Sequence, residues 1–177
     1  MTLARAVCEA VDGIVSAVNL YDAEIAPCRA CGACAKGSFH PCPLTDGFPK
    51  VLDALLTSDA VIVASPLHFT SLTAPVIATY SRLQPYWAMQ SDDCRSGVRL
   101  REGALVVTAG SEYAGMFQPS RSVTAAVFNT LGIHFAGMVT AANTDSKPLV
   151  ENTVALEEAQ TLGEQMRKCM ISHASNR

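Results

Sequence analysis

The chain has 177 residues, of which 49% are apolar and only 16% charged, and its net charge is −3. That length can bury a substantial core in one domain, and the apolar content excludes a disordered chain. The absence of any basic run argues against nucleic acid and anionic membrane as partners.

Leu3, Ala6, Val7, Ala10 and Val11 recur at helical spacing and predict a helix over 3–11, closed by Asp12-Gly13 with Gly just past its end. No charged n-region and apolar h-region precede it, and no apolar run approaches the roughly 18 residues of a membrane-spanning helix. The expected location is therefore the cytoplasm. Ile14 to Leu20 reads as a strand that leads into a cysteine-rich loop at 27–47. Phe48, Val51, Leu52, Leu55 and Leu56 give a second helical face, and Ala60 to Ala64 is a continuously apolar run, as in a strand covered on both sides. Pro66 is expected to stop that strand. A loop over 67–73 leads to a helix from about Pro75 through Leu83, with Pro in its first turn. Residues 88–101 are polar and irregular. Ala104 to Thr108 reads as another buried strand ending at Ala109-Gly110-Ser111. A helix through Val123, Ala126, Val127 and Leu131 closes at Gly132, a strand follows over 133–139, and a long helix runs from Val154 to about Met170.

Strands alternate with helices, so the expected architecture is a single α/β domain over 1–177 with a doubly wound parallel sheet and right-handed crossovers. About four strands are visible, and the chain opens on a helix where such a domain opens on a strand.

Four of the seven cysteines, Cys28, Cys31, Cys34 and Cys42, fall within 15 residues. In a chain without an export signal, this clustering indicates metal or redox chemistry rather than disulfides. A 4Fe–4S cubane needs one thiolate per iron. Three cysteines at spacing three wrap a loop around one corner, and a fourth followed by Pro43 closes the site. Ala30, Gly32, Ala33 and Ala35 are small enough to let backbone N–H groups approach the sulfurs. Zinc, the runner-up, more often uses two Cys-x-x-Cys pairs on a longer loop, and a loop without metal is the remaining alternative. His40 could replace a cysteine as ligand, but four cysteines suffice. Cys8, Cys94 and Cys169 read as packing residues, as does His134.

Pro27-Cys28-x-x-Cys31-Gly32-x-Cys34, Cys42-Pro43, the strand end Ser65-Pro66-Leu67-His68-Phe69, the Ala109-Gly110-Ser111 turn and the Asn129-Thr130-Leu131-Gly132-Ile133 join resemble the iron–sulfur flavoproteins. These are part of the flavodoxin-like NAD(P)H-dependent FMN reductase group. The resemblance implies a flavodoxin-like fold with strand order 2-1-3-4-5, FMN at the strand carboxyl ends, and a homodimer or homotetramer. Three departures stand out. The family's first strand and its FMN-phosphate loop have no counterpart, and Met1-Thr2 sits where that loop would end. His68 replaces the usual Tyr, and only Thr45-Asp46 follows the last cysteine.

Ligands in open α/β sheets bind beyond the strand carboxyl ends. On pattern alone, Ser65, Pro66, Leu67, His68, Phe69, Thr70 and Ser71 are equally a ligand loop or a plain strand-to-helix connection. The resemblance implies that they contact FMN and that Thr108, Ala109, Gly110 and Ser111 form the other wall. Tyr113, Met116 and Phe117 would cover the ring or meet another subunit. His68 is the candidate proton-handling residue. No Ser-His-Asp set, Walker loop or Gly-x-Gly-x-x-Gly is present, which leaves hydrolase, P-loop and dinucleotide-fold readings without residues.

The resulting expectation is an oxidoreductase coupling FMN to a 4Fe–4S cluster. Its electrons would come from NAD(P)H or be exchanged with a small molecule or a ferredoxin-like protein. The alternatives are a metal-stapled assembly module without flavin, completed by a partner chain, and a flavin-only reductase.

Overall fold

A computed structural model describes residues 2–35, 42–88 and 101–175 of the chain. Its elements, in order, are α1 (Thr2–Val11), α2 (Phe48–Thr57), β1 (Ala60–His68), β2 (Ser71–Leu72), α3 (Ala74–Ser81), α4 (Gln84–Ala88), β3 (Arg101–Thr108), α5 (Gln118–Thr130), β4 (Ile133–Ala141) and α6 (Thr153–Ser175). The sheet order is β2-β1-β3-β4, with β1, β3 and β4 parallel and β2 folded back antiparallel on the end of β1. This is the expected α/β architecture of strands joined through helical crossovers.

β3 is the spine of the sheet. It pairs with β1 from Ala60↔Glu102 to Pro66↔Thr108 and with β4 from Arg101↔Ile133 to Thr108↔Ala141. Seven of its eight residues are buried, as a strand covered on both faces requires. On one face, α1 and α6 lay Leu3, Val7, Ala159, Leu162 and Met166 over Ala104, Val106 and Val139. On the other, α2, α3 and α5 contribute Val51, Val76, Tyr80 and Phe128 against Leu105 and Val107. Phe128 is fully buried and meets Phe135 edge-on at 5.8 Å between centroids, the geometry that aromatic quadrupoles favour.

Several expectations are corrected. Ile14 to Leu20 is not a strand: the backbone there is irregular, and Ile14 and Val15 are exposed at 106% and 59%. A strand is held by its neighbours' hydrogen bonds, and none of the described strands pairs with this segment. β1 is likewise only half-buried despite its apolar run, and Ala64 is exposed. Among the described residues, no strand lies along its outer edge from Ala60 to Pro66. Pro66 does not stop β1, which continues to His68, because an edge strand tolerates a residue without an N–H. The predicted loop over 67–73 contains instead the hairpin of β1 and β2. Asp12 rather than Gly13 takes the left-handed conformation after α1 (φ 58°), and its N–H donates to Cys8 O at 3.2 Å. Asp, like Gly, tolerates that region because its short side chain bonds locally.

Arg101 sits in the segment expected to be irregular, yet it is 6% exposed and starts β3. Its guanidinium donates to Leu55 O near the end of α2 and to Leu131 O beyond α5, so one cation caps the carbonyl ends of two helices. Burial lowers its pKa. Cys94 and His40 lie outside the described residues. Cys8 and Cys169 are part-buried free thiols on α1 and α6, and burial, with a contribution from Glu9, raises the Cys8 pKa. No helix among the described residues is long and apolar enough to cross a membrane.

The helices α1 and α6 cross closely at Gly163, where a Cβ would stand 2.5 Å from Val7 O and 2.6 Å from Ala10 Cβ. Backbone cannot yield there as a side chain would. The variant Gly163→Val is expected to lose about 1–3 kcal/mol through overpacking, read as a lower urea midpoint with an unchanged denaturant slope.

Candidate functional site

The cysteine loop is tied down at its base. Ala26 donates its N–H to Asp46 Oδ2 (3.0 Å) and accepts at its carbonyl from Arg82 Nη1 (3.0 Å). Gly47 N–H bonds back to Ala23 O at 3.0 Å. Arg82 Nη1 and Asp46 Oδ2 form an ion pair at 2.6 Å, with both side chains nearly excluded from solvent. The Arg82 guanidinium lies 4.5 Å from the centre of the Phe48 ring, a distance at which a cation is attracted to an aromatic face. One residue before Arg82, Ser81 Oγ accepts the Cys28 N–H at 3.0 Å. The segment entering the loop is therefore fixed to the start of α2 and the end of α3.

Beyond that base the backbone coils tightly. Ala30 (φ 51°) and Gly32 (φ 70°) are left-handed, and a 3-10 turn follows over Ala33–Ala35. The coil brings the Ala30 N–H, a donor from two residues downstream, to Cys28 Sγ at 3.4 Å, the kind of backbone contact that orients a sulfur ligand. Cys31 is exposed, while Cys28, Cys34 and Cys42 are part-buried, and all four are free of disulfides. Among the described residues, no three His, Cys, Asp or Glu side chains stand close enough together to hold a metal ion. The loop's fit to an iron–sulfur cluster therefore rests on its donor chemistry: four thiols, small intervening residues and a backbone N–H already on one sulfur.

The second candidate region lies at the carboxyl edge of the sheet. Pro66 pairs with Thr108, and Thr108 with Ala141, so both predicted walls do end side by side. Ser65 is buried and accepts the Thr73 N–H at 3.0 Å, stapling the hairpin to the start of α3. Pro66, His68 and Ser71 are exposed, and Leu67 is half-buried. Phe69 and Thr70 form a two-residue turn with φ of 51° and 63°, the conformation of a tight hairpin. Left-handed backbone at two non-glycine residues costs about 1–3 kcal/mol each. It holds the Phe69 ring fully in solvent, at 102% exposure.

The opposite wall is already engaged by protein. Ala109 N–H donates to Ala141 O (2.8 Å), and Ala109 O accepts from Thr144 N–H (3.0 Å) and Oγ1 (3.1 Å). A Cβ on Gly110 would stand 2.3 Å from Asp145 Oδ2, so the bare glycine accommodates that carboxylate. Ser111 is exposed. Nearby, Asn143 Nδ2 donates to Glu112 at 2.7 Å. Met116 is buried and its sulfur accepts the Tyr113 N–H at 3.3 Å, while Tyr113 is half-exposed and Phe117 packs against the core. A groove of about 220 Å³ between α3, α4 and α5, lined by Tyr80, Trp87, Val123 and Val127, contains none of the residues predicted for cofactor binding.

His134 is not a packing residue. Its side chain is 61% exposed and its Nδ1 lies 2.9 Å from Oε2 of the buried Glu102, at the opposite edge of the sheet from His68. Sequence reasoning also missed Ser81, Arg82, Asn143, Thr144 and Asp145. None of them lies in a recognisable spacing, and what assigns each its place is a contact made across the fold.

The two candidate regions are anchored at opposite ends of α3, Ser65 at its start and Cys28 at its end. Eight residues of helix separate the anchors by about 12 Å.

No family model matches the chain. It is 34% identical over 107 residues to an iron–sulfur flavoprotein of Archaeoglobus fulgidus, covering 56% of this chain and 48% of that protein. It is 32% identical over 65 residues to an iron–sulfur flavoprotein of Methanosarcina thermophila, covering 37% of this chain and 33% of the other. The chain thus spans about half or less of the length of the curated relatives it matches. Among solved structures, an FMN-dependent NADH-azoreductase from Bacillus anthracis superposes with a TM-score of 0.58 at 16% identity, over 93% of this chain and 90% of that one. The fold is flavodoxin-like, and the sequence resembles the iron–sulfur flavoproteins.

Desolvation raises the Asp46 pKa, but hydrogen bonds from Arg82, Phe48 and Ala26 outweigh it and hold the carboxyl below its usual value. A lowered folded pKa stabilises the protein above the unfolded value of about 3.9, and that contribution is lost as pH falls through the folded value. In metal-free protein, wild type is expected to lose more stability than Asp46→Asn between pH 5 and about 3. Urea midpoints across that interval check this.

Proposed function

We propose that the chain is part of a flavin-dependent oxidoreductase in which Cys28, Cys31, Cys34 and Cys42 hold a 4Fe–4S cluster and the carboxyl edge of the sheet receives FMN. The observation that carries the reading is the anchored cysteine loop, with its N–H on Cys28 Sγ, in a flavodoxin-like sheet whose sequence relatives are iron–sulfur flavoproteins. Flavin supplies two-electron exchange and the cluster one-electron exchange, so together they would join a two-electron donor such as NAD(P)H to a one-electron carrier.

The chain's own residues bind and orient. The thiolates would be held by the coil through Ala30 and Gly32, and Cys28 fixed by Ser81. Phe69, Leu67 and Pro66 would offer apolar surface to an isoalloxazine ring, and the neighbouring backbone and hydroxyls of Thr70 and Ser71 would offer polar contacts to its carbonyls. Thr108 and Ser111 would border the ring on the other side. His68, exposed on the same hairpin, would be the group that exchanges a proton with the flavin or substrate. A homodimer or homotetramer belongs to this reading, as does a small-molecule or ferredoxin-like redox partner.

A second reading is a metal-stapled module that binds no flavin alone. It is favoured by the engaged backbone of Ala109, by Asp145 against Gly110, and by the β1 edge that no described strand covers.

Oxygen-free purification separates the readings. The first expects flavin bands over broad sulfide-to-iron absorption, with about four irons and four sulfides per chain. Cys31→Ser is expected to lose most of that iron. A colourless, zinc-containing protein overturns the cluster assignment, and a brown protein without flavin selects the second reading.

A further inference from the structure

We propose that Arg82 is the fixed counter-charge of the cysteine loop, a positioning residue that raises the reduction potential of a cluster held there; this rests on the cluster reading above. Arg82 is 3% exposed. Both acceptors it has among the described residues fall on one nitrogen, since Nη1 bonds Asp46 Oδ2 at 2.6 Å and Ala26 O at 3.0 Å. Nε and Nη2 are buried and have no acceptor among the described residues. Leaving buried donors of a charged group unmatched is costly, and the Phe48 ring against the guanidinium supplies no lone pair. Asp46 offers little further relief, because its oxygens also accept the N–H groups of Ala26 and Phe48.

The location gives these unmatched donors a purpose. Arg82 adjoins Ser81, which holds the Cys28 N–H, and it bonds Ala26 two residues before Cys28. The negative charge expected at this place is that of the four thiolates and their cluster. One-electron reduction of a cluster held by these thiolates would move no proton and break no bond, so it would raise the negative charge at the loop by one. A fixed cation in a poorly solvated position stabilises the more negative state more strongly, and burial protects the interaction from salt. The potential therefore rises. Asp46, tied to the same guanidinium, acts in the opposite sense.

Opposed signs give the test. Wild type and variants are reconstituted with iron and sulfide without oxygen and titrated with dithionite in the presence of mediators, following cluster absorption and its electron paramagnetic resonance signal. Iron and sulfide are measured in each sample. Arg82→Gln is expected to lower the potential, Asp46→Asn to raise it, and Arg82→Lys to remain near wild type because it keeps the charge. A structural clamp alone predicts that both neutralising variants lose iron and stability while the retained cluster keeps its potential, or that both potentials move the same way. Either result overturns the role of Arg82 while leaving the cluster in place. If Arg82→Gln does not fold, a potential in Asp46→Asn that is unchanged or lower overturns it equally. Wild-type protein that takes up no iron and sulfide overturns the cluster reading, and this proposal with it.

Discussion

The pairing of β3 on both sides is the constraint on which the rest of the molecule depends. Its backbone is committed to β1 and β4, and both faces of its side chains are committed to helices. Because the three strands are parallel and held in that register, Pro66, Thr108 and Ala141 end side by side. The loops leaving them therefore converge at one edge, as in other open α/β sheets. Arg101 fastens the opposite end of the same strand to two helix termini. Displacing β3 would disturb both helical layers and the candidate flavin edge at once.

The cysteine loop is organised on a different principle. Its described residues add no strand to the sheet, and their position depends on polar contacts converging beneath Ala26 and Cys28. Removing one partner of a buried ion pair is more damaging than the net strength of the pair suggests, because the survivor is left charged and desolvated. The Asp46–Arg82 pair is thus better understood as fixing where the loop sits than as a source of stability. The hairpin at Phe69-Thr70 is different again: a strained turn keeps a large aromatic ring in water, an arrangement that burial alone would never select.

Much of the fold was legible because it is written in periodicity. The helical faces of 3–11 and 48–56 and the apolar runs at 104–108 and 133–139 each carry their own pattern, and each formed as expected. Ile14 to Leu20 carried a strand pattern equally well and formed none, since a strand also requires a neighbour and no local sequence supplies one. The cysteines announced themselves by spacing. Arg82, Asp46 and Ser81 did not, because a buried guanidinium and a solvated one look alike in sequence, and the difference lies in contacts made across the fold. Gly110 was legible only as part of a ligand wall, and the group set against it is Asp145 of the same chain.

The uneven pairing of the sheet has a consequence in time. Every N–H of β3 between Arg101 and Thr108 faces a neighbouring strand, whereas the outward half of β1 between Ala60 and Pro66 meets none among the described residues. Amide protons leave a protein through local opening, and the free energy of opening falls where hydrogen bonds and apolar cover thin out. The sheet therefore carries an internal gradient of protection, slowest along β3 and fastest along the outer side of β1. Two parallel strands of one sheet, one bonded on both sides and the other on one, would keep quite different clocks.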